Sequence, residues 1–233
     1  MAKSITDLKV DLQGALHGTN LNKVQAIDQV IYRAAGDLLL DIDPKETQRT
    51  DSLTGGTYDS SDDTYTYTDL PEDLKGRKVT YLAPSGSNTS LDNYRARYSK
   101  EFDLRRERNT FTIDIDGTTK TLRLSTGSTA TTWEIAYYSK YLFRDATSGD
   151  WQETVTDDSN LINLDTESYN LLFDKVMILL APQLQGKDSA FDLAFYQNEY
   201  KTARARYVAQ NKSEAQSPQT FYYRQPFGPT RSY

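Results

Sequence analysis

The chain has 233 residues, 37% of them hydrophobic, with no cysteine and a single histidine, so disulfides, zinc fingers and thiol catalysis are closed to it. Its mean hydropathy is −0.71, and its longest apolar run, near Met177 to Ala181, is far too short to span a bilayer. The net charge of −6 argues against a dedicated nucleic-acid binder, and the length suits one domain or one core with an elaborated subdomain.

Met1-Ala2-Lys3-Ser4 reads as the start of a protein made in the cytoplasm, with no signal-peptide apolar region behind it. Ser4 to Asp7 then predicts a helix start, Ser4 capping and an acid three residues on. Leu8, Leu12 and Leu16 continue one face until Gly18. A second helix is expected from Asn22, with Val24, Ile27, Ile31, Ala34, Ala35, Leu38 and Leu39 as its apolar stripe and Pro44 as its limit. Joined at 17–20, the two form an antiparallel pair spanning residues 1–45.

From Glu46 the period changes from 3.6 to 2. Tyr65-Thr66-Tyr67 alternates, Leu70 to Gly76 reads as a turn-rich link, and Lys78 to Leu82 as a strand. Phe111 to Ile115 and Thr119 to Leu124 flank Asp116-Gly117, the signal of a type I′ hairpin. Trp133 to Tyr138 is a further strand, and 149–160 an exposed loop. The stretch 85–108, basic at Arg95, Arg97, Lys100, Arg105, Arg106 and Arg108, reads as salt-bridged scaffold, because Glu101, Asp103 and Glu107 offset it. Residues 46–163 are thus a β-rich insertion.

Helical pattern returns behind Asp165, with Leu171, Leu172, Val176, Leu179 and Leu180 on one broad face and Pro182 expected to kink or end it. A last helix is expected from Lys187-Asp188 to near Gln210. Its stripe of Phe191, Phe195, Tyr196, Tyr200, Ala203 and Tyr207 reads as core. The predicted fold class is α+β: a helical platform built from the N-terminal pair and a C-terminal pair over 164–212, the β-rich subdomain inserted between them, and an extended tail.

That tail, residues 213–233, holds Pro218, Pro226 and Pro229, yet puts Phe221, Tyr222, Tyr223 and Phe227 within seven residues. Prolines deny it a helix, and aromatics are costly to leave in water, so it reads as a docking segment. Its candidate partner-binding residues are Phe221, Tyr222, Tyr223, Arg224, Phe227 and Tyr233. Charge is also unevenly placed. Residues 41–70 carry a net −6 and residues 201–233 a net +5, a polarity suited to head-to-tail contact between copies.

No catalytic constellation is legible. His17 beside Gly18 reads as a helix-end residue. Asp41-Ile42-Asp43, Asp62-Asp63 and Asp114-Ile115-Asp116 lack the ligand steps of a calcium loop. Gly55-Gly56 has no GK[ST] after it and is no phosphate loop. No cofactor or metal site is expected.

Taken together, residues 7–49, 65–84 with the turn Leu70-Pro71-Glu72-Asp73-Leu74, and 164–207 resemble the head–tail adaptor (connector) proteins of tailed bacteriophages. The resemblance implies a non-enzymatic virion neck protein, made in the host cytoplasm. It would form a homo-oligomeric ring, commonly of twelve copies, between the portal protein and a downstream tail or neck protein. Genomic DNA would pass through its lumen without sequence-specific binding, and the C-terminal tail would grip the portal or a neighbouring subunit. Two other readings stand beside it: a tail or baseplate component of the same virion, and a carbohydrate-binding module using Trp133 and Trp151 as stacking platforms.

Overall fold

The computed structural model describes residues 2–16, 21, 24–61, 63–85, 97–98, 110–125, 132–184 and 191–215, with 97–98 and 211–215 as backbone only. Four α-helices are found among them: α1 (Ile5–Ala15), α2 (Ile27–Asp41), α3 (Thr166–Leu184) and α4 (Leu193–Ala215). The strands of the first half are β1 (Lys3–Ser4), β2 (Gln48–Leu53), β3 (Thr57–Asp59), β4 (Thr64–Tyr67), β5 (Leu74–Pro84) and β6 (Arg97–Tyr98). Those of the second half are β7 (Thr110–Asp116), β8 (Thr119–Ser125), β9 (Trp133–Ser139), β10 (Phe143–Arg144), β11 (Trp151–Gln152) and β12 (Leu161–Ile162). The fold is α+β, as the change of period predicts.

Helix α1 begins on a full capping box: the Ser4 hydroxyl accepts from Asp7 N–H at 3.1 Å, and the Asp7 carboxylate accepts from Ser4 N–H at 2.8 Å. Leu8 and Leu12 are fully buried. Helix α2 does not start at Asn22, which lies outside the described residues. It starts at Ile27, because Ala26 is left-handed at φ 53° and interrupts the helical path just before it. Asp165 caps α3, its carboxylate accepting from Ser168 N–H at 2.7 Å.

Helix α3 is the centre of the helical layer. It packs against α1, α2 and α4, and Tyr169, Leu171, Leu172, Val176, Met177, Leu180, Ala181 and Leu184 are all buried. So broad an apolar surface belongs to a helix covered on several sides. Pro182 does not end it. The helix runs to Leu184, and the missing N–H costs a single bond in the last turn, where Pro182 itself is exposed. Helix α4 begins at Leu193, later than the expected 187–188, which fall outside the described residues. Asp192 caps it, accepting from Ala194 and Phe195 N–H at 2.9 and 3.2 Å. It continues past Gln210 to Ala215.

The short strands β1, β12, β10 and β11 form one sheet in that order. Because β1 leads straight into α1, and β12 into α3 through Asp165, this sheet holds the starts of both helices together. Leu142, Phe143 and Ile162 from it sit in the helical core.

A second core lies between two other sheets. One has β9 at its centre, antiparallel to β2 and to β5; the other runs β3-β4-β8-β7-β6, with β6 parallel to β7. Trp133, Ile135, Leu82 and Leu53 from the first meet Leu122, Leu124, Phe111, Ile113 and Tyr67 from the second. Each such side chain contributes roughly 1.5–3 kcal/mol when fully buried. The link Leu70–Gly76 is partly strand, since β5 begins at Leu74.

The β7–β8 hairpin forms where predicted, but Asp116 pairs with Thr119 and leaves Gly117-Thr118 as the loop. Positive φ falls only on Gly117, at 58°, which matches a II′ turn better than the expected I′. Gly56 answers a packing need: a Cβ there would stand 2.5 Å from the Tyr67 ring. The presumed exposed loop 149–160 contains β11 and ends on a buried Asn160, whose side-chain oxygen accepts from the N–H groups of Thr156 and Asp157 at 2.9 and 3.0 Å.

Candidate functional site

The tail residues singled out from the sequence (Phe221, Tyr222, Tyr223, Arg224, Phe227 and Tyr233) all lie outside the described residues, as do His17, Asp62 and most of the basic stretch 85–108. Among the described residues no group of three His, Cys, Asp or Glu side chains is placed to hold a metal ion. Three of the acids weighed as ligands, Asp41, Asp43 and Asp114, are engaged in ion pairs. Asp43 binds Lys75 at 2.6 Å and Lys78 at 2.8 Å, and Asp114 faces Arg123 at 3.4 Å.

The Leu-Pro-x-Asp-Leu turn has a definite structural task. Its Asp73 carboxylate accepts from the Tyr137 hydroxyl at 2.8 Å and the Ser139 hydroxyl at 2.7 Å, and pairs with the Arg49 guanidinium at 3.3 Å. Arg49 also donates to the Tyr141 carbonyl at 2.9 Å and lies 3.5 Å over the Trp151 ring. One carboxylate from the entry to β5 thereby ties β2 and β9, while the Arg49 side chain reaches β11 in the helical half. The turn is a junction between the two cores. The same contacts dispose of both tryptophans: Trp133 is fully buried, and a face of Trp151 is covered by Arg49.

No protein-family model matches this chain. No curated protein matches it either. Its surfaces have to be read from their own geometry.

Two acids mark the interfaces of α3 and α4. Asp41, the last residue of α2, accepts from the Tyr200 hydroxyl on α4 at 2.5 Å, from Lys175 on α3 at 3.1 Å, and faces Arg204 on α4 at 3.6 Å. Burial alone would push its carboxyl up. The bonds from Tyr200 and Lys175 and the Arg204 charge outweigh that and hold it below the usual 3.8.

Asp174 on α3 is the opposite case. Burial, with Glu199 of α4 beside it, pushes its carboxyl up to about 6 from 3.8. The protonated form therefore favours the fold. What it contributes is complete below about pH 4 and is lost as the pH rises through about 6. Asp174→Asn should raise stability at pH 7.5 by about 1 kcal/mol, allowing for partial exposure, and leave it unchanged near pH 4. Urea titrations at the two pH values check this, and an equal gain at both would refute the assignment.

One open apolar surface stands out on α2. Tyr32, Gly36 and Leu40 follow one another at four-residue spacing on the exposed side of the helix, with Tyr32 38% and Leu40 84% exposed. They border a groove of about 170 Å³ floored by Ala35, Leu39, Leu142 and Phe143, with Lys75, Lys140 and Glu153 at its rim. Nothing lies within 4 Å of where a Gly36 side chain would begin, so the groove is unobstructed there. Sequence reasoning passed over this stripe because the buried stripe of the same helix is so regular. Its signal was Tyr32 and Leu40 standing apolar on what should be the polar face.

Proposed function

We propose that this protein is a non-enzymatic virion structural protein of a tailed bacteriophage. It is a head–tail adaptor that forms a ring beneath the portal and joins capsid to tail in the virion neck. The observation that carries this reading is an order of parts along the chain. N-terminal helices run into the Leu70–Leu74 turn and a β-rich middle, and C-terminal helices run into a proline-broken aromatic tail. The turn's role in joining the two cores supports it, because a ring subunit must pass force between its parts. The tail supports it as well: aromatic anchors carry much of the affinity of an interface, and many copies acting together give avidity that one weak site lacks.

The test is co-sedimentation with portal rings from the same genome, with the full chain and with a chain ending at residue 213. The full chain should pellet with the rings, and the shortened one should lose most of that binding. If neither form binds, the protein belongs to the tail or baseplate. On assembly the segment 218–233 should also become protease-resistant, since ordering it costs roughly 1–2 kcal/mol per residue and needs a surface to offset that. Equal resistance in the free chain and in the assembled ring would count against a docking tail.

A further inference from the structure

Two hydrophobic cores in one chain leave a joint between them. Among the described residues, the helical core takes none between Ile42 and Leu142, and the second core takes only residues from Leu53 to Tyr137. The chain crosses from one to the other at 42–47 and returns at 140–142. The two crossings run side by side, because Gln48 pairs with Tyr138. The joining contacts are polar: Lys75 and Lys78 hold Asp43, Arg49 reaches Tyr141 and Trp151, and the Asn163 amide donates to the Glu46 carbonyl at 2.8 Å. A polar boundary of this kind leaves the two parts free to move against each other. The α2 groove lies along it, floored by the helical half and rimmed by Lys75 of β5 and Lys140 of the returning crossing, and gives such motion room.

Glu46 sits inside the joint, in the 3₁₀ turn Lys45–Thr47 of the outgoing crossing. Its Oε2 atom is enclosed and has no hydrogen-bond partner among the described residues. Burial, with Asp165 at the head of α3 beside it, pushes the carboxyl above its usual 4.5; the N–H groups of Glu46 and Asp165 and the Lys45 charge offset this only in part. Strand β9, which packs against the turn, adds no charge at this end. Its Glu134 pairs with Ser52 far along the strand, Tyr137 gives its hydroxyl to Asp73, and Tyr138 lies near Lys45. The arrangement that encloses Glu46 is therefore favoured by protonation. That preference is complete below 4.5 and is lost as the pH rises through the raised value, where the ionised oxygen gains by reaching water.

We propose that the two halves are rigid bodies that turn about the paired crossings 42–47 and 140–142, with protonated Glu46 holding the closed arrangement and its ionised form releasing it. Hinges of this kind draw on a few residues at the ends of elements. The hinge does not depend on the adaptor reading, and the isolated chain suffices to test it.

The absence of cysteine lets two spin labels report the motion. One pair spans the joint, Val10→Cys on α1 with Ile115→Cys on β7. A control pair, Val10→Cys with Leu40→Cys, stays within the helical half. All three positions are exposed, at 64%, 40% and 84%. At pH 7.5 the spanning distance distribution, read by pulsed electron paramagnetic resonance, should be about twice as wide as the control's, and at pH 4 it should narrow to match it. In Glu46→Gln it should be narrow at both pH values. Asp165→Asn keeps a helix cap but removes the charge beside Glu46, and should narrow the neutral distribution part-way even if the glutamine variant fails to fold. A spanning pair as narrow as the control at pH 7.5 overturns the hinge. A width that responds to pH equally in parent and Glu46→Gln removes Glu46 as its catch.

Discussion

Asp73→Ala should unfold this protein at markedly lower temperature or denaturant than any surface change. The carboxylate and its partner Arg49 are only 13% and 12% exposed, and Tyr137 and Ser139 donate to the same carboxylate. Removing it leaves the largely buried Arg49 guanidinium without its counter-charge, the Tyr137 hydroxyl without its acceptor, and the Ser139 hydroxyl with only a long 3.5 Å bond to the Tyr141 carbonyl. Breaking one side of a buried ion pair costs about 3–5 kcal/mol. For a chain of this length that corresponds to a fall in Tm of roughly 8–15 °C. Trp133 and Trp151 lie in or beside the affected region, so fluorescence-detected urea unfolding reads it directly. Asp73→Asn, which keeps the shape and an acceptor, should fall between. A loss below about 1 kcal/mol would mean that solvent screens the pair and that the turn joins nothing.

Asp41→Ala is the second large effect, expected at about 2–3 kcal/mol. It removes the one acceptor shared by Tyr200, Lys175 and Arg204, and so the polar tie that binds the end of α2 to both α3 and α4. The pH dependence follows from the lowered carboxyl. Its contribution is present above the usual 3.8 and disappears as the pH falls through the still lower folded value, so variant and parent should converge in acid. Limited proteolysis supplies a second readout. Cleavage within α4 should speed up relative to cleavage within β5 or β9, since only the helical side has lost a tie. Uniform loosening of the whole chain would place Asp41 in a different role.

The two acids at this interface respond to pH in opposite directions, and the sequence offers no way to foresee that. Asp41 and Asp174 are both helix-face aspartates in a run of apolar neighbours. One meets a hydroxyl, an ammonium and a guanidinium; the other meets a glutamate. Their difference is set by what α4 brings from more than twenty residues further on.

Local features, by contrast, were legible. The Ser4–Asp7 capping box, the buried stripe of α2, the Asp165 cap and the position of the β7–β8 hairpin are each written within a few residues, because caps, periodicity and tight turns are satisfied by near neighbours. The misplaced starts of α2 and α4 have local causes too. A left-handed Ala26 and an Asp192 cap override the apolar pattern that appeared to begin earlier.

The sequence by itself thus determined the α+β class, the order of helical and β-rich parts, and the aromatic, proline-broken composition of the C-terminal segment. Only the tertiary structure decided that α3 is the central helix, that the Leu70–Leu74 turn is a junction, and that the described residues leave an apolar stripe of α2 uncovered. The physical reason is range. Asp73 finds Tyr137 and Ser139 at 64 and 66 residues' separation, and a side chain's burial is settled by whichever distant element packs over it. Pattern can say that a face is apolar. Packing alone says whether the chain covers it or leaves it for a partner.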